Sequence, residues 1–244
     1  TITNMGAELG ATTSIFPSDE VTRQFLVAQD READWSPLAS DSDAEYAERY
    51  SINLSELEAL AACPNSPDNV KPVRELVGIK VDQVAIGSCT NSSFADMTKT
   101  SLVLKGHKIA DGVSLGISPG SRQVFSMMAE SGALTDMIDA GARILECACG
   151  PCIGMGFSPN SKGVSLRTFN RNFLGRSGTK DGQVYLVSPE TAAASALTGY
   201  IIDPTTLPPI EETQQPDRFR INDDGIIAPL PAVEAEEAEV LRGP

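Results

Sequence analysis

The sequence predicts an α/β protein, a three-layer αβα arrangement around a mostly parallel sheet. Three observations predict it. From Val81 onward, short apolar runs alternate with amphipathic stretches of helical period. Capping and turn residues bound those runs. The polar motifs fall just after them, where the carboxyl ends of parallel strands share one edge and ligands bind.

Residues 1–50 read as mainly helical. Ser18 is the expected N-cap of a helix opening at Asp19-Glu20, whose charges suit the positive helix end. Val21, Phe25 and Leu26 supply its apolar stripe. Between Asp30 and Glu48, seven acids stand against Arg31 alone, which reads as a solvated face or loop. A short helix is expected from Leu54 to Ala62. It ends at Cys63-Pro64-Asn65-Ser66-Pro67-Asp68-Asn69, where proline blocks continuation and a domain junction is expected.

Strands are expected at Gln83–Gly87, Val113–Ile117, Ala142–Leu145, Leu166–Phe169 and Val184–Val187. Helices are expected between them: one after Ser93 to about Leu104, and one opened by Pro119-Gly120-Ser121 through Ser131. A third starts at Ser188-Pro189, is alanine-rich and stops at Gly199. Residues 204–244 hold seven of the sixteen prolines and nine acids against three arginines, which reads as an extended linker or tail.

Composition bounds the function. The 244 residues carry 33 acidic and 19 basic side chains, a net charge of −14, so a non-specific nucleic-acid surface is not expected. A hydrophobic fraction of 41% supports a buried core. No apolar run reaches the roughly 18 residues that span a bilayer, so no membrane partner is expected. One histidine excludes a metal site built on two, and it leaves only His107 as the base of any Ser–His–Asp triad. The first residue is Thr1, with no initiator methionine and no signal peptide, so either a mature product or a fragment is expected. The five cysteines are Cys63, Cys89, Cys147, Cys149 and Cys152. Three within six positions make a poor disulfide framework and point to metal ligands or redox thiols in a cytoplasmic protein.

Cys149-Gly150-Pro151-Cys152 has rival readings. The pair can be a dithiol–disulfide centre of the kind thioredoxins use, or two thiolates on a metal or cluster. Ala148 stands where thioredoxins carry tryptophan, Ile153-Gly154-Met155-Gly156 does not read as an extended helix, and Cys89 occupies an equally polar loop. This context favours the cluster. A structural zinc would need a fourth ligand. His107 could serve, but Lys105-Gly106-His107-Lys108 reads as a solvated basic turn. An iron–sulfur cube on three cysteines leaves one iron open as a Lewis acid. Cys63 is expected to be an incidental thiol. Cys147 is a weaker ligand candidate, on the same side of an extended chain as Cys149. Arg171 and Arg176, five residues apart around a glycine, suit carboxylates through paired hydrogen bonds, against the alternative of surface salt bridges.

Four segments together resemble the aconitase family: Thr3-Asn4-Met5-Gly6-Ala7-Glu8, Gly87-Ser88-Cys89-Thr90-Asn91-Ser92, Ala148-Cys149-Gly150-Pro151-Cys152-Ile153-Gly154 and Asn170-Arg171-Asn172-Phe173-Leu174-Gly175-Arg176. The resemblance implies a 4Fe–4S cluster on Cys89, Cys149 and Cys152. It implies substrate carboxylates on Arg171 and Arg176, with Asn4, Glu8 and Asn170 as polar residues around the cluster and its bound water. The implied reaction is reversible dehydration of a hydroxy-polycarboxylate, citrate to isocitrate through cis-aconitate, since the motifs look closer to aconitase proper. Homoaconitase and the 3-isopropylmalate dehydratase large subunit are the alternatives, and the family's RNA-binding members find no support in an acidic chain.

Complete members carry upstream histidine and aspartate residues, and a C-terminal domain with a serine base and a further arginine. The resemblance therefore implies an internal fragment. Residues 1–50 end a preceding α/β domain, 51–203 form the cluster-binding domain, and 204–244 lead toward an absent C-terminal domain. The expected partners are a tri- or dicarboxylate and the missing regions of the same enzyme, and little turnover is expected of the chain alone.

Overall fold

A computed structural model describes residues 2–210, 213 and 215–238. Seven strands form one sheet. β1 (Leu60–Ala62) and β2 (Val70–Pro72) are an antiparallel hairpin. β3 (Gln83–Gly87), β4 (Ser114–Ser118), β5 (Arg143–Ile144), β6 (Val164–Arg167) and β7 (Gln183–Leu186) are parallel to one another. The order across the sheet is β2-β1-β7-β6-β3-β4-β5, with the hairpin antiparallel to β7. The mostly parallel sheet agrees with expectation.

The chain leaves β3 in one direction to build β4 and β5, then returns to the other side of β3 to build β6 and β7. The reversal lies between β3 and β6. Loops leaving their carboxyl ends diverge there and open a crevice.

Strand alternation divides the sheet residues between two faces. Val84, Ile86, Leu115, Ile117 and Leu166 enter the main core. Over it lie α2 (Phe94–Leu104), α3 (Arg122–Ser131), α4 (Ala133–Asp139) and α5 (Pro189–Thr198). The opposite face presents Gln83, Ala85, Gly116, Ser165 and Arg167. Its covering layer is the loop after β5, which carries a 3-10 turn at Gly150–Ile153 and lays Phe157 against Ala85. Gly116 must lack a side chain, because a Cβ there would meet Phe157 at 2.8 Å.

The caps explain the helix starts. Ser93 Oγ accepts from Asp96 N at 3.2 Å while Ser93 N donates to Asp96 Oδ2 at 3.1 Å, a reciprocal capping box on α2. Ser121 and Ser188 cap α3 and α5 as expected, and Gly199 closes α5 in the left-handed conformation.

Three expectations in the first third of the chain are corrected. Residues 1–50 hold a single α-helix, α1 (Glu20–Ala28), with 3-10 turns at Asn4–Leu9 and Glu32–Asp34. Its N-cap is Asp19, not Ser18. The Asp19 carboxylate accepts from Val21 N and Thr22 N at 3.0 and 3.1 Å, while Ser18 pairs its backbone with Leu38. The expected helix at Leu54–Ala62 is a 3-10 turn at Leu54–Glu56 followed by β1. Asn53 caps the turn, and the following residues pair along their whole length with β2 and at Ala62 with β7, where pairing outweighs local helix propensity.

The acidic terminal segment packs back on the domain, first through Leu207 and Ile210 on the main core and then at Phe219. Phe219 is buried with Ala28 and Met127, its N–H donates to Ala28 O at 2.8 Å, and its ring meets that of Phe25 at 5.5 Å. Arg218 pairs with Asp30 and Arg220 with Glu130. Further on, a short helix α6 spans Ala232–Glu237. Among the described residues no helix is long and apolar enough to cross a membrane.

Gly87 ends β3 with φ +118°, and a Cβ there would lie 1.9 Å from Ser118 O. Neither strain nor clash can relax without parting β3 from β4. The Gly87→Ala variant is expected to lose about 2–4 kcal/mol of stability, read as a lower urea midpoint at unchanged slope.

Candidate functional site

The crevice between β3 and β6 is stitched by polar side chains. Gly87 N donates to Thr168 Oγ1 at 2.8 Å, and Asn91 Nδ2 donates to Thr168 O at 2.6 Å. Ser88 turns the chain out of β3 with φ 68°. That conformation is held from both sides: Ser88 N donates to Ser118 O at 3.0 Å, and Ser88 O accepts from the Ser92 hydroxyl. The turn places Cys89 at the rim.

Around Cys89 the 3-10 turn at Asn4–Leu9 meets the loop after β6. The Cys89 thiol lies 3.9 Å from Asn4 Oδ1, Thr90 Oγ1 donates to the same oxygen at 3.3 Å, and Asn170 Nδ2 donates to it as well. Asn170 is 4% exposed, so three distant segments close on one amide. Burial pushes the Cys89 thiol up, but the hydrogen bonds around Asn4 and Thr90 outweigh it and hold the thiol below its ordinary range.

The two arginines divide their contacts. Arg171 Nε donates to Glu8 Oε1, an ion pair whose carboxylate side chain is only 5% exposed. The Glu8 contact holds the guanidinium above its ordinary value, with smaller contributions from Cys152 and Cys89. Arg176 Nη2 lies 3.6 Å from Cys152 Sγ. Glu8 Oε2 and Arg176 Nε are buried without a hydrogen-bond partner, an acceptor and a donor left unused beside the cysteines. Asn172 Nδ2 fastens the arginine loop to the sheet by donating to Cys63 O and Val184 O, at 2.8 and 3.1 Å.

All five cysteines are free thiols. Cys89, Cys147 and Cys149 line one small cavity of about 80 Å³. Cys152 is buried behind it with Ala85, Phe157 and Phe169. Among the described residues no group of three or more His, Cys, Asp or Glu side chains converges where a single metal ion would sit. His107 is exposed in its turn. A four-residue 3-10 turn follows Cys149 and stops at Gly154, so Cys149 does not head an α-helix.

One residue of this site escapes a reading by motif. Arg167 has no exposed surface. Its Nη1 donates to Pro151 O, its Nη2 to Phe157 O at 2.8 Å and to Gln83 Oε1 at 3.0 Å, and its Nε to Ser165 Oγ at 3.1 Å. In sequence, Arg167 sits at an alternating position of a strand, which reads as solvent-facing. The available signal was the run of polar or small residues at period two in both strands, Gln83-Ala85-Gly87 and Ser165-Arg167.

Residues 1–80 and 71–199 match the model of the aconitase family (aconitate hydratase). The chain is 42% identical over 205 residues to 3-isopropylmalate dehydratase large subunit 2 of Archaeoglobus fulgidus, covering 84% of this chain and 49% of that protein. It is 42% identical over 208 residues to large subunit 1 of Thermotoga maritima, covering 84% and 50%. The large subunit of Clostridioides difficile is 42% identical over 212 residues, covering 85% and 50%. The chain thus spans about half the length of the curated relatives it matches.

Cys147, unlike Cys89, has its thiol pushed up by burial alone. A lowered thiol pKa means more thiolate at any given pH near neutrality. Iodoacetamide labelling of the metal-free chain, mapped by mass spectrometry, is expected to reach half-maximal rate at lower pH for Cys89 than for Cys147. Asn4→Ala is expected to move the Cys89 midpoint upward.

Proposed function

The chain belongs to the aconitase family, and from that premise we propose that it is the cluster-bearing part of a 3-isopropylmalate dehydratase large subunit, acting by reversible loss of water from a hydroxy-dicarboxylate. The names of the relatives support this substrate over the citrate expected from the motifs. The words "large subunit" further imply a smaller companion subunit, beside the other half of the large subunit itself.

One observation carries the site assignment: Arg176 Nη2 stands 3.6 Å from Cys152 Sγ, so the arginine and cysteine motifs meet through their functional atoms. Cys89, Cys149 and Cys152 would hold a 4Fe–4S cluster. The donor chemistry fits: the thiols are free, Cys89 is held below its usual range, and guanidinium charge faces Cys152. The corners of a cube stand apart, so its ligands need not converge on one point as ligands of a zinc ion must.

When bound, the cluster supplies an open iron, a Lewis acid for a substrate hydroxyl. Arg171 and Arg176 grip the substrate carboxylates through charge-assisted hydrogen bonds, for which Arg176 Nε is a buried, unused donor. Glu8 holds Arg171 in place through Oε1 and leaves Oε2 free to accept a proton or hydrogen bond from the hydroxyl or water. Asn4 and Asn170, bonded to each other, set the polar wall beside Cys89. The base that moves the substrate proton is expected outside this chain.

Anaerobic reconstitution of the chain with iron and sulfide is expected to give broad visible absorbance, lost in Cys89→Ser, Cys149→Ser and Cys152→Ser and kept in Cys147→Ser. Full absorbance in Cys152→Ser would sink the ligand set. The complete enzyme is expected to dehydrate 3-isopropylmalate in preference to citrate. Its Arg176→Lys variant should lose about 10–100-fold in kcat/KM, as one charge-assisted hydrogen bond is worth roughly 1.5–3 kcal/mol.

A further inference from the structure

We propose that Arg167 is the positioning residue of the Cys149–Cys152 loop: one buried guanidinium, anchored on β3 and β6, holds loop carbonyls on both sides of Cys152 and so fixes where that sulfur stands. The inference rests on the cluster reading only for its functional meaning, since the geometry belongs to the loop itself.

The loop needs an external partner. Its 3-10 turn is only four residues long, and Pro151 and Phe157 turn their carbonyls into the protein, where water cannot serve them. Arg167 Nη1 reaches Pro151 O, the carbonyl of the residue immediately before Cys152, and Nη2 reaches Phe157 O. The other side of the fork is fixed by the sheet. Nε donates to Ser165 Oγ, Nη2 also donates to Gln83 Oε1, and the Ser165 hydroxyl donates to that same oxygen at 2.8 Å. Gln83 then adds a third loop contact, donating through Nε2 to Ser158 O at 2.9 Å. The Phe169 ring lies 5.4 Å from the guanidinium carbon and closes the site.

Among the described residues no carboxylate forms an ion pair with Arg167. A buried cation without a carboxylate is costly unless dipoles or another anion compensate it. Here the dipoles are the loop's carbonyls, and the nearby ionisable group is Cys152. Holding the loop and compensating the charge are the same set of contacts. Lysine could keep the charge but not the fork, because a single ammonium cannot span carbonyls and side-chain oxygens lying in different directions.

The test is alkylation of the metal-free chain, with Cys152 read against Cys63. Both are buried thiols, but Cys63 lies by the β1 edge, away from the clamp, and reports global opening. In Arg167→Met and in Arg167→Lys, the ratio of Cys152 to Cys63 labelling is expected to rise about tenfold, a local opening of the loop. Ser165→Ala, which keeps the guanidinium and removes its Nε anchor without touching the loop, is expected to raise it about threefold and serves if the Arg167 variants do not fold. An unchanged ratio, a parallel rise of both thiols, or full rescue by lysine would each overturn the clamp. In reconstituted chain, Arg167→Met is expected to surrender iron to a chelator about tenfold faster. If the wild-type chain takes up no cluster, the cluster reading fails while the labelling ratio still decides the clamp. If the cluster forms and the ratio is unchanged, the clamp alone fails.

Discussion

A charged side chain with no exposed surface sets the terms for one whole face of the sheet. Desolvation lowers the Arg167 pKa to about 10, with Cys152 pulling it back up. The group is therefore still a cation at neutral pH, in a place water does not reach. It must be solvated by the protein, and the available dipoles belong to the loop after β5. Once that loop lies over the sheet, its other side chains have fixed places. Phe157 fills the space above Gly116, Cys152 drops into the wedge between Ala85, Phe157 and Phe169, and Gly154 must stay glycine because a Cβ would meet Ser177 O at 2.1 Å. Helices cover the opposite face by apolar packing, whereas this face is organised around one polar group.

The reversal of strand order gives that face its access to solvent. Loops from β3 and β6 leave neighbouring strands and diverge, so the crevice is topological and needs no cavity carved into the core. Thr168 bridges it twice, through Oγ1 to Gly87 and through its carbonyl to Asn91. The 3-10 turn at Asn4–Leu9 then caps the crevice, with Asn4 meeting Asn170 and Glu8 meeting Arg171. Segments more than 160 positions apart in sequence become neighbours through side chains that two short motifs carry.

Residues 81–199 were legible, α4 apart, because local and global signals agree there: β-branched runs between caps such as Ser93, Ser121 and Ser188, and the stop at Gly199. The β1 hairpin was not, because the strand character of β1 comes from pairing with β2 and, at Ala62, with β7, and not from its own residues. The Asp19 cap was misplaced by one residue, since serine and aspartate both cap well and only the carboxylate's reach to Val21 and Thr22 separates them. Of the site, the motif residues were legible by type and spacing, and the contacts among Asn4, Cys89 and Asn170 were not. Arg167 was invisible for a physical reason. Alternation tells which face a strand residue points to, but not whether a loop later covers that face.

A net charge of −14 opposes the binding of an anion at long range. The opposition is weaker than the total suggests. The acids between Asp30 and Glu48 lie mostly on exposed side chains in solvent, where salt screens them beyond roughly 8 Å at physiological ionic strength. Inside the crevice the balance is reversed. Arg167, Arg171 and Arg176 fall within ten positions of one strand and its loop, and Glu8 is the carboxylate bonded among them. Arg167 is committed to the loop carbonyls, whereas Arg171 meets Glu8 through Nε and the half-buried Arg176 keeps an unused Nε. Under the reading proposed above, Arg167 holds the loop so that Arg171 and Arg176 can bind. A partly buried guanidinium meets an anion across a lower dielectric than water, which strengthens the contact.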